Sequence, residues 1–142
     1  MTSTFTFVPC TEPYWEFVRQ LRTDPRVLDG FVETSGITRK QQKSYMAKHW
    51  QEHFICLLDG KPVGYIGSID KDIRVCTHPD FQGRGAGVFM VKELMKRFPD
   101  SHAKVKLRNE SSKRLFEKCG FVPMHIIYEP ASKVSPRDQK TR

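Results

Sequence analysis

The sequence predicts a single α+β domain in which helices flank a mixed β-sheet, with elements in the order β-α-α-β-β-β-α-β-α-β. The length of 142 residues suits one compact domain. Apolar residues alternate with a period of two in some segments and follow the helical period in others, which predicts both kinds of element. A glycine-rich turn at residues 82–87 joins a predicted strand directly to a predicted helix.

The first half of the chain is predicted to form a strand, two helices and a hairpin. Thr11 is placed to cap the first helix, and Thr38 with Gln41 has the spacing of a capping box that opens the second. The dipeptide Asp59-Gly60 is a strong signal for a two-residue hairpin turn. The predicted elements are a strand at 4–9, a helix at 13–22, a loop at 23–37, a helix at 38–50, and strands at 53–58 and 61–69.

The second half is predicted to alternate strands and helices before a polar tail. Pro79 must end the strand before it, and Gly120 stands where a helix ending at Cys119 needs a left-handed residue. Residues 131–142 carry four basic residues and one acidic residue, which predicts a disordered basic tail after a domain of residues 1–130. The predicted elements are a strand at 72–77, a helix at 87–98, a strand at 103–107, a helix from Asn109 or Ser111 to Cys119, and a strand at 121–128.

The composition indicates an anionic partner and a reducing environment. Twenty-four Lys and Arg against sixteen Asp and Glu give a formal net charge of +8, which favours a phosphate-bearing cofactor, a nucleic acid or an acidic surface. No RNP motif, zinc finger or heptad-backed basic region supports a nucleic acid, so we do not expect one. No apolar run approaches the ~20 residues that cross a bilayer, and no secretory signal is present. Four cysteines without a Cys-x-x-Cys pair predict reduced thiols in a cytoplasmic protein. We expect a monomer or homodimer without membrane contact.

The turn Gln-Gly-Arg-Gly-Ala-Gly at residues 82–87 is the most informative stretch. Unpaired amides at a helix N-terminus, together with the helix dipole, form an anion site, so the turn is predicted to cradle a phosphate or pyrophosphate. The spacing does not fit the Walker A loop. It does not fit the dinucleotide fingerprint either, because Val88 stands where the third glycine is required.

The pattern Gln82-x-x-Gly85-x-Gly87 resembles the acetyl-CoA motif of the GNAT superfamily of N-acetyltransferases, which follows a fourth strand. The run His-Pro-Asp-Phe at residues 78–81 also resembles the family pattern. So does Asn-Glu-Ser-Ser-Lys-Arg-Leu-Phe-Glu-Lys-Cys-Gly-Phe at residues 109–121. The resemblance covers residues 72–122 in order and spacing. It implies a single-domain GNAT-like fold and an N-acetyltransferase that uses acetyl-CoA as co-substrate.

The same resemblance assigns the cofactor site to three segments. Backbone groups of Val75 and Thr77, on a splayed fourth strand, would pair with the pantetheine arm, and amides of the turn would hold the pyrophosphate. The implied cofactor-binding residues are Val75, Cys76, Thr77, Gln82, Gly83, Arg84, Gly85, Ala86, Gly87, Asn109, Ser112 and Phe116. Lys92, Lys96 and Lys113 are either contacts to the ribose phosphate or solvated lysines of helix faces.

The reaction needs a base, because an alkylamine with a pKa of about 10 arrives protonated at neutral pH. Asp72 is the candidate base, with a plain turn residue as the alternative reading, and His78 is the alternative base. The amide of Val75 is implied as the donor to the tetrahedral oxyanion. Many family members use a Tyr as the general acid where this chain has Phe116, so we consider Tyr128 or water as the proton source.

The acceptor is predicted to be a primary amine of a small molecule, such as an amino sugar. Arg22 and Phe31 are the candidate substrate-binding residues. A protein, peptide or tRNA amine is the alternative, and the loss of the family's Tyr also permits a non-catalytic acyl-CoA-binding module. The pattern His49-Trp-Gln-Glu-His53 matches a zinc-peptidase motif, but a strand is predicted to begin at its second histidine. We therefore expect no metal.

Overall fold

The computed structural model describes residues 3–28 and 38–139 of the chain. The strands are β1 (Phe5–Pro9), β2 (His53–Leu58), β3 (Lys61–Ile69) and β4 (Asp72–Thr77), and they form one antiparallel sheet in the order β1-β2-β3-β4. The helices are α1 (Trp15–Arg22), α2 (Pro25–Leu28), α3 (Arg39–His49), α4 (Ala86–Arg97), α5 (Glu110–Lys118) and α6 (Pro136–Gln139). The predicted α+β class is confirmed. No helix in the described ranges is long and apolar enough to span a membrane.

Each face of the sheet buries a separate apolar core, as the period of two in a strand requires. Towards α4 and α5 the first core contains Cys56, Leu58, Ile66 and Ile73 of the strands with Met90, Val91, Leu94 and Phe116 of the helices. Towards α1 and α3 the second core contains Ile55, Tyr65 and Cys76 with Val18, Leu21 and Met46. The side chains of β4 therefore alternate between the two faces, and Asp72, Arg74 and Cys76 lie towards α1 and α3.

Two tight turns join the three long strands. Asp59 and Gly60 both have positive φ, 51° and 85°, which is the backbone of the predicted hairpin turn. Asp70 and Lys71 also have positive φ, 51° and 68°, and Asp72 is already the first residue of β4. The turn therefore ends before Asp72, which lies in the strand.

The outer edge of β4 is open for most of its length. The N–H of Ile73 donates to the carbonyl of His102 at 2.8 Å, and the N–H of His102 donates to the carbonyl of Lys71 at 2.7 Å. This single parallel bridge at His102 is the only backbone pairing on this edge of β4 within the described ranges, and residues 103–107 make none. Because backbone groups alternate in direction along a strand, Val75 and Thr77 share the direction of Ile73 and turn their N–H and C=O groups to the open edge.

The predicted strand at 103–107 is wrong, because the segment leaves β4 after this bridge. Ala103 and Val105 pack against the first core instead of extending the ladder. The N–H of Asn109 then donates to the carbonyl of Lys106 at 2.9 Å, which turns the chain into α5. The prediction was a mixed sheet. In the described residues all four strands pair antiparallel, and the one parallel contact is the isolated bridge at His102.

The predicted strand at 121–128 is also absent. The segment has no ladder partners within the described residues, and its large apolar side chains are exposed, among them Val122, Met124 and Ile126. An alternating pattern indicates which side chains share a face, but a strand also needs a neighbour, and residues 103–107 do not provide one.

Residues 131–139, predicted to be disordered, contain a 3-10 turn at Ala131–Lys133 and helix α6. Asp138 makes ion pairs with Lys106 and Arg108, and these ion pairs lower the pKa of its carboxyl group, chiefly through the hydrogen bond from Arg108. The prediction overlooked that one acidic residue in a basic segment can bind a basic neighbour. Residues 140–142 lie outside the described ranges.

Gly67→Ala is expected to destabilise the fold by about 1–3 kcal/mol. An added Cβ would lie 2.7 Å from Cδ2 of His53 and 2.9 Å from the carbonyl oxygen of Glu52. The His53 ring cannot move aside freely, because its Nδ1 donates to the carbonyl of His49 at 2.9 Å. Chemical denaturation measures the free energy of unfolding. The cost should be smaller in a His53→Ala background, and a Gly67→Ala protein as stable as the parent would contradict the packing described.

Candidate functional site

The glycine-rich turn presents free amides at the start of α4. Gly83 and Gly85 have φ of 79° and 90°, a region that side chains with a Cβ rarely adopt. Gly85 is the N-cap and offers no side-chain cap, and the first helical bond runs from the N–H of Phe89 to its carbonyl at 3.1 Å. The N–H groups of Ala86, Gly87 and Val88 therefore have no partner within the described residues. This is the amide arrangement that binds a phosphate.

Two cations stand beside the turn. The guanidinium of Arg84 lies 5.4 Å from the ring centroid of Phe81, and the ammonium of Lys61 lies 5.3 Å from the same centroid. Sequence reasoning identified Arg84 but missed Lys61. Lys61 begins β3 more than twenty positions earlier, and no local signal connects the two residues.

The other lysines considered for the ribose phosphate differ in their partners. Lys96 pairs with Glu93 and Lys113 pairs with Glu110, each at 3.1 Å on its own helix. Lys92 is exposed on α4, and its positive charge lowers the pKa of Cys119 against the larger effect of burial, which raises it. Of the three, only Lys92 has no ion pair with the described residues.

Helix α5, which belongs to the run at residues 109–121, packs against the start of α4 behind the glycine-rich turn. A Cβ added at Gly87 would meet Cδ1 of Leu115 at 3.1 Å, so the glycine lets α4 and α5 approach closely. Asn109 caps α5, and its side-chain oxygen accepts from the N–H of Ser112 at 3.1 Å. The Phe116 ring is only 7% exposed and packs edge-on against Phe121 with centroids 5.2 Å apart. Phe116, which stands where many members of the resembled family use a Tyr, is thus a core residue without a proton to give.

The middle of β4 supplies backbone groups to the site. Val75 and Thr77 face the open edge, and Gln82 donates from Nε2 to the carbonyl of Thr77 at 3.5 Å, which ties the turn to the strand end. Cys76 points away into the second core, where burial raises the pKa of its thiol to about 12. Its side chain is therefore a neutral core group.

The candidate bases lie at opposite ends of β4. Asp72 begins the strand at the bridge to His102, and its Oδ2 lies 4.0 Å from Nε of Arg74. His78 follows the strand, and its Nδ1 accepts from the N–H of Asp80 at 3.1 Å as the cap of a 3-10 turn. In the neutral ring the proton is then on Nε2, so neither nitrogen offers a free lone pair. The Asp72 carboxylate makes no hydrogen bond with the described residues, so of the two candidates it is the one with a lone pair free to accept a proton.

Three predicted site residues remain, one for catalysis and two for substrate binding. Tyr128 is 90% exposed and lies in the irregular segment after α5, so the structure does not enclose it in the site. Arg22 is half-buried at the end of α1. Phe31 lies outside the described residues.

Sequence reasoning missed a polar group on the α3 side of the sheet. The Tyr45 ring packs on His49 with centroids 4.7 Å apart and meets the His53 ring edge-on at 5.8 Å. His53 is buried, and this burial lowers its pKa, so its ring is neutral at physiological pH. No cluster of His, Cys, Asp or Glu in the described part of the chain is suited to a metal. In the zinc-like pattern, the ring of His53 donates from Nδ1 to the backbone carbonyl of His49.

A sequence comparison decides the family. The model of the acetyltransferase (GNAT) family matches residues 15–121, well over half of the chain. The chain belongs to the GNAT acetyltransferase family. It is therefore an acetyl-CoA-dependent N-acetyltransferase, and acetyl-CoA is its co-substrate, as the sequence predicted. No curated protein sequence matches this GNAT enzyme.

Solved structures share its fold. The spermidine N-acetyltransferase from Vibrio cholerae, in complex with CoA and spermine, has a TM-score of 0.70 at 16% identity, with 85% of this chain and 82% of that chain covered. Aminoglycoside N-acetyltransferase AAC(6')-Iy in complex with CoA has a TM-score of 0.70 at 14% identity, with 92% and 96% covered. The ribosomal-protein-alanine N-acetyltransferase from Brucella melitensis has a TM-score of 0.67 at 14% identity, with 81% and 83% covered. At these identities the likeness shows the fold alone.

Proposed function

We propose that this GNAT enzyme acetylates the primary amine of a small molecule by direct transfer in a ternary complex. The single observation that carries the proposal is that two nearby sets of backbone groups lack partners among the described residues, one on Val75 and the N–H of Thr77 at the open edge of β4 and the other on the first N–H groups of α4. The amides of Ala86, Gly87 and Val88 suit the pyrophosphate of acetyl-CoA, and Val75 and Thr77 suit the amide groups of its pantetheine arm. The residues present therefore fit the co-substrate.

The chain's own groups would act as follows. Acetyl-CoA supplies an activated thioester. The N–H of Val75 would donate to the oxygen that becomes negative in the tetrahedral intermediate. Asp72 would accept the proton of the acceptor ammonium, directly or through one water molecule. Because Phe116 cannot donate a proton and Tyr128 is exposed, we propose that water reprotonates the leaving thiolate, whose ordinary pKa of about 8.5 makes it a tolerable leaving group.

A small-molecule acceptor is favoured over a protein amine by the cleft of about 450 Å³ between α1, the start of β3 and the 3-10 turn after β4. Phe17, Leu21, Lys61 and His78 contribute to its wall. Volumes of this size suit drug-sized ligands. The relatives named for spermidine and aminoglycosides act on small amines, whereas the one named for a ribosomal protein supports a protein amine as the second candidate. We also propose a cytoplasmic location, in keeping with four free cysteines.

Release of CoA from acetyl-CoA, measured against a panel of amines, tests this function. The panel contains amino sugars, amino acids, polyamines, aminoglycosides and basic peptides, and acetyl-CoA affinity is measured in parallel by calorimetry. Turnover with a small amine above that with every peptide is the expected result. Faster turnover of a peptide would shift the acceptor to proteins, and tight acetyl-CoA binding without any turnover would contradict transfer to the amines tested.

A further inference from the structure

The side of the sheet that faces α1 and α3 gathers ionisable and phenolic side chains beside the middle of β4. We call this group the acceptor face and define it as Arg22, Tyr45, His53, Tyr65 and Arg74. Strand register builds it, since His53, Gly67 and Arg74 lie side by side across three strands, and Tyr65 pairs with Cys76 in the next row. Gly67 leaves a gap that the His53 ring fills.

Several polar groups here lack partners within the described residues. The Tyr45 hydroxyl is buried and makes no hydrogen bond, and neither polar atom of the Gln42 side chain, 2% exposed on the same helix, has a partner. Arg22 makes no ion pair with the described part of the chain, and Arg74 has only the 4.0 Å contact to Asp72. Buried polar groups in native proteins are nearly always hydrogen-bonded, so the Tyr45 hydroxyl and the Gln42 amide call for a partner that the described residues do not supply. Arg74, whose side chain is 38% exposed, is open to a ligand on the same side of the sheet.

Arg22 directly follows Leu21, which lines the cleft described above and packs with Tyr65 and Cys76 in the second core. Arg22 and Arg74 therefore lie towards the same side of the sheet, next to that cleft. Burial raises the pKa of Tyr45 and of Tyr65, and the positive charges of Arg74 and Arg22 partly oppose that rise at both rings. The acidic groups nearby are Asp72, Glu52, Asp70 and Asp24. Glu52 and Asp70 act on Tyr45 in the opposite sense. Burial raises the pKa of Cys76, and Asp24, which pairs with Arg26, adds to that rise. The donors of the face are thus two guanidinium groups and two phenols, which suit the oxygens of an anion.

We propose that the acceptor carries an anionic oxygen group, a carboxylate or a phosphate, which Arg22 and Arg74 bind on the acceptor face. Arg74 precedes Val75 in the strand, so the anionic end would lie one residue from the amide assigned to the oxyanion. The ammonium end would be drawn to Asp72, whose carboxylate lies beside Arg74. The substrate class is therefore a zwitterionic amine, such as an amino acid or an amino sugar phosphate. This inference rests on the proposed function.

The test compares matched amines with and without the anion. The pairs are phenylalanine with phenethylamine, which tests a carboxylate, and glucosamine 6-phosphate with glucosamine, which tests a phosphate. Spermidine represents a polycation. The anionic member of at least one pair should have a kcat/KM at least about 10-fold higher than its partner, and spermidine should be the poorest acceptor.

Arg74→Gln and Arg22→Gln should remove that preference. The KM for the anionic acceptor is expected to rise about 10–100-fold, which is the loss of one charge-assisted contact, while the KM for acetyl-CoA stays within about twofold. Arg39→Gln is the matched control, because it removes one positive charge from an α3 residue whose side chain is 79% exposed. It should leave both constants unchanged.

Two outcomes overturn the inference without touching the proposed function. One is equal kcat/KM within both pairs, and the other is a preference that survives both arginine substitutions. If no amine turns over although acetyl-CoA binds, the proposed function fails. The inference is then judged by calorimetric binding of the same pairs to the CoA complex. Tighter binding of an anionic member that Arg74→Gln abolishes would support it, and equal binding within the pairs would overturn it.

Discussion

Gly85→Asp is expected to weaken acetyl-CoA binding by at least about 100-fold. Gly85 is the N-cap of α4, and the N–H groups of Gly87 and Val88 in the following turn have no partner among the described residues. A carboxylate at this position would occupy those amides and lie within a few ångströms of the pyrophosphate. Two like charges about 4 Å apart repel each other by about 4 kcal/mol at a protein surface, which corresponds to a loss of several hundred-fold. Calorimetric titration with acetyl-CoA measures the effect.

Gly85→Asn separates charge from shape. Asn and Asp have nearly the same size, and both meet the same strain at φ 90°, about 1–2 kcal/mol, yet only Asp adds a negative charge. Asn should therefore lower the melting temperature about as much as Asp does but retain most of the affinity. Equal affinities for the Asp variant and the parent would show that the turn does not hold the pyrophosphate.

The sequence predicted those parts of the fold that local signals determine. Asp59-Gly60 demanded a turn with positive φ at both residues, and Thr38 with Gln41 makes the reciprocal hydrogen bonds of a capping box. The glycines of the turn at 82–87 likewise carry the backbone angles that their spacing indicated. In each case residues a few positions apart contain the whole physical reason.

Features that depend on distant pairing escaped prediction. The period of two at residues 121–128 describes a face but does not supply a neighbouring strand, and the apolar side chains there remain exposed. Of the acceptor face, the sequence pointed only to Arg22. The face draws on α1, α3 and three strands, so its residues meet only once the register is set. Lys61 reaches Phe81 for the same reason.

Asp72→Asn is expected to lower kcat by about 100-fold or more at neutral pH while acetyl-CoA affinity stays unchanged. Asn keeps the size of the side chain and its place at the start of β4 beside Arg74, but it cannot take the ammonium proton of the acceptor. The deficit should shrink as the pH approaches about 10, because the amine then loses its proton to the solvent without help from the enzyme. Steady-state rates of CoA release across this pH range measure the effect.

Asp70→Asn is the matched control for charge and location. Asp70 lies two residues earlier, in the turn at φ 51°, and Asn tolerates that backbone well, so the fold should be preserved. The control should follow the parent's pH–rate profile, since its carboxylate belongs to the turn and not to β4. A parent-like profile in Asp72→Asn would remove Asp72 from the base role. A deficit in Asp72→Asn that stays constant up to high pH would instead assign Asp72 to positioning the acceptor, because only proton removal becomes dispensable when the amine is already neutral.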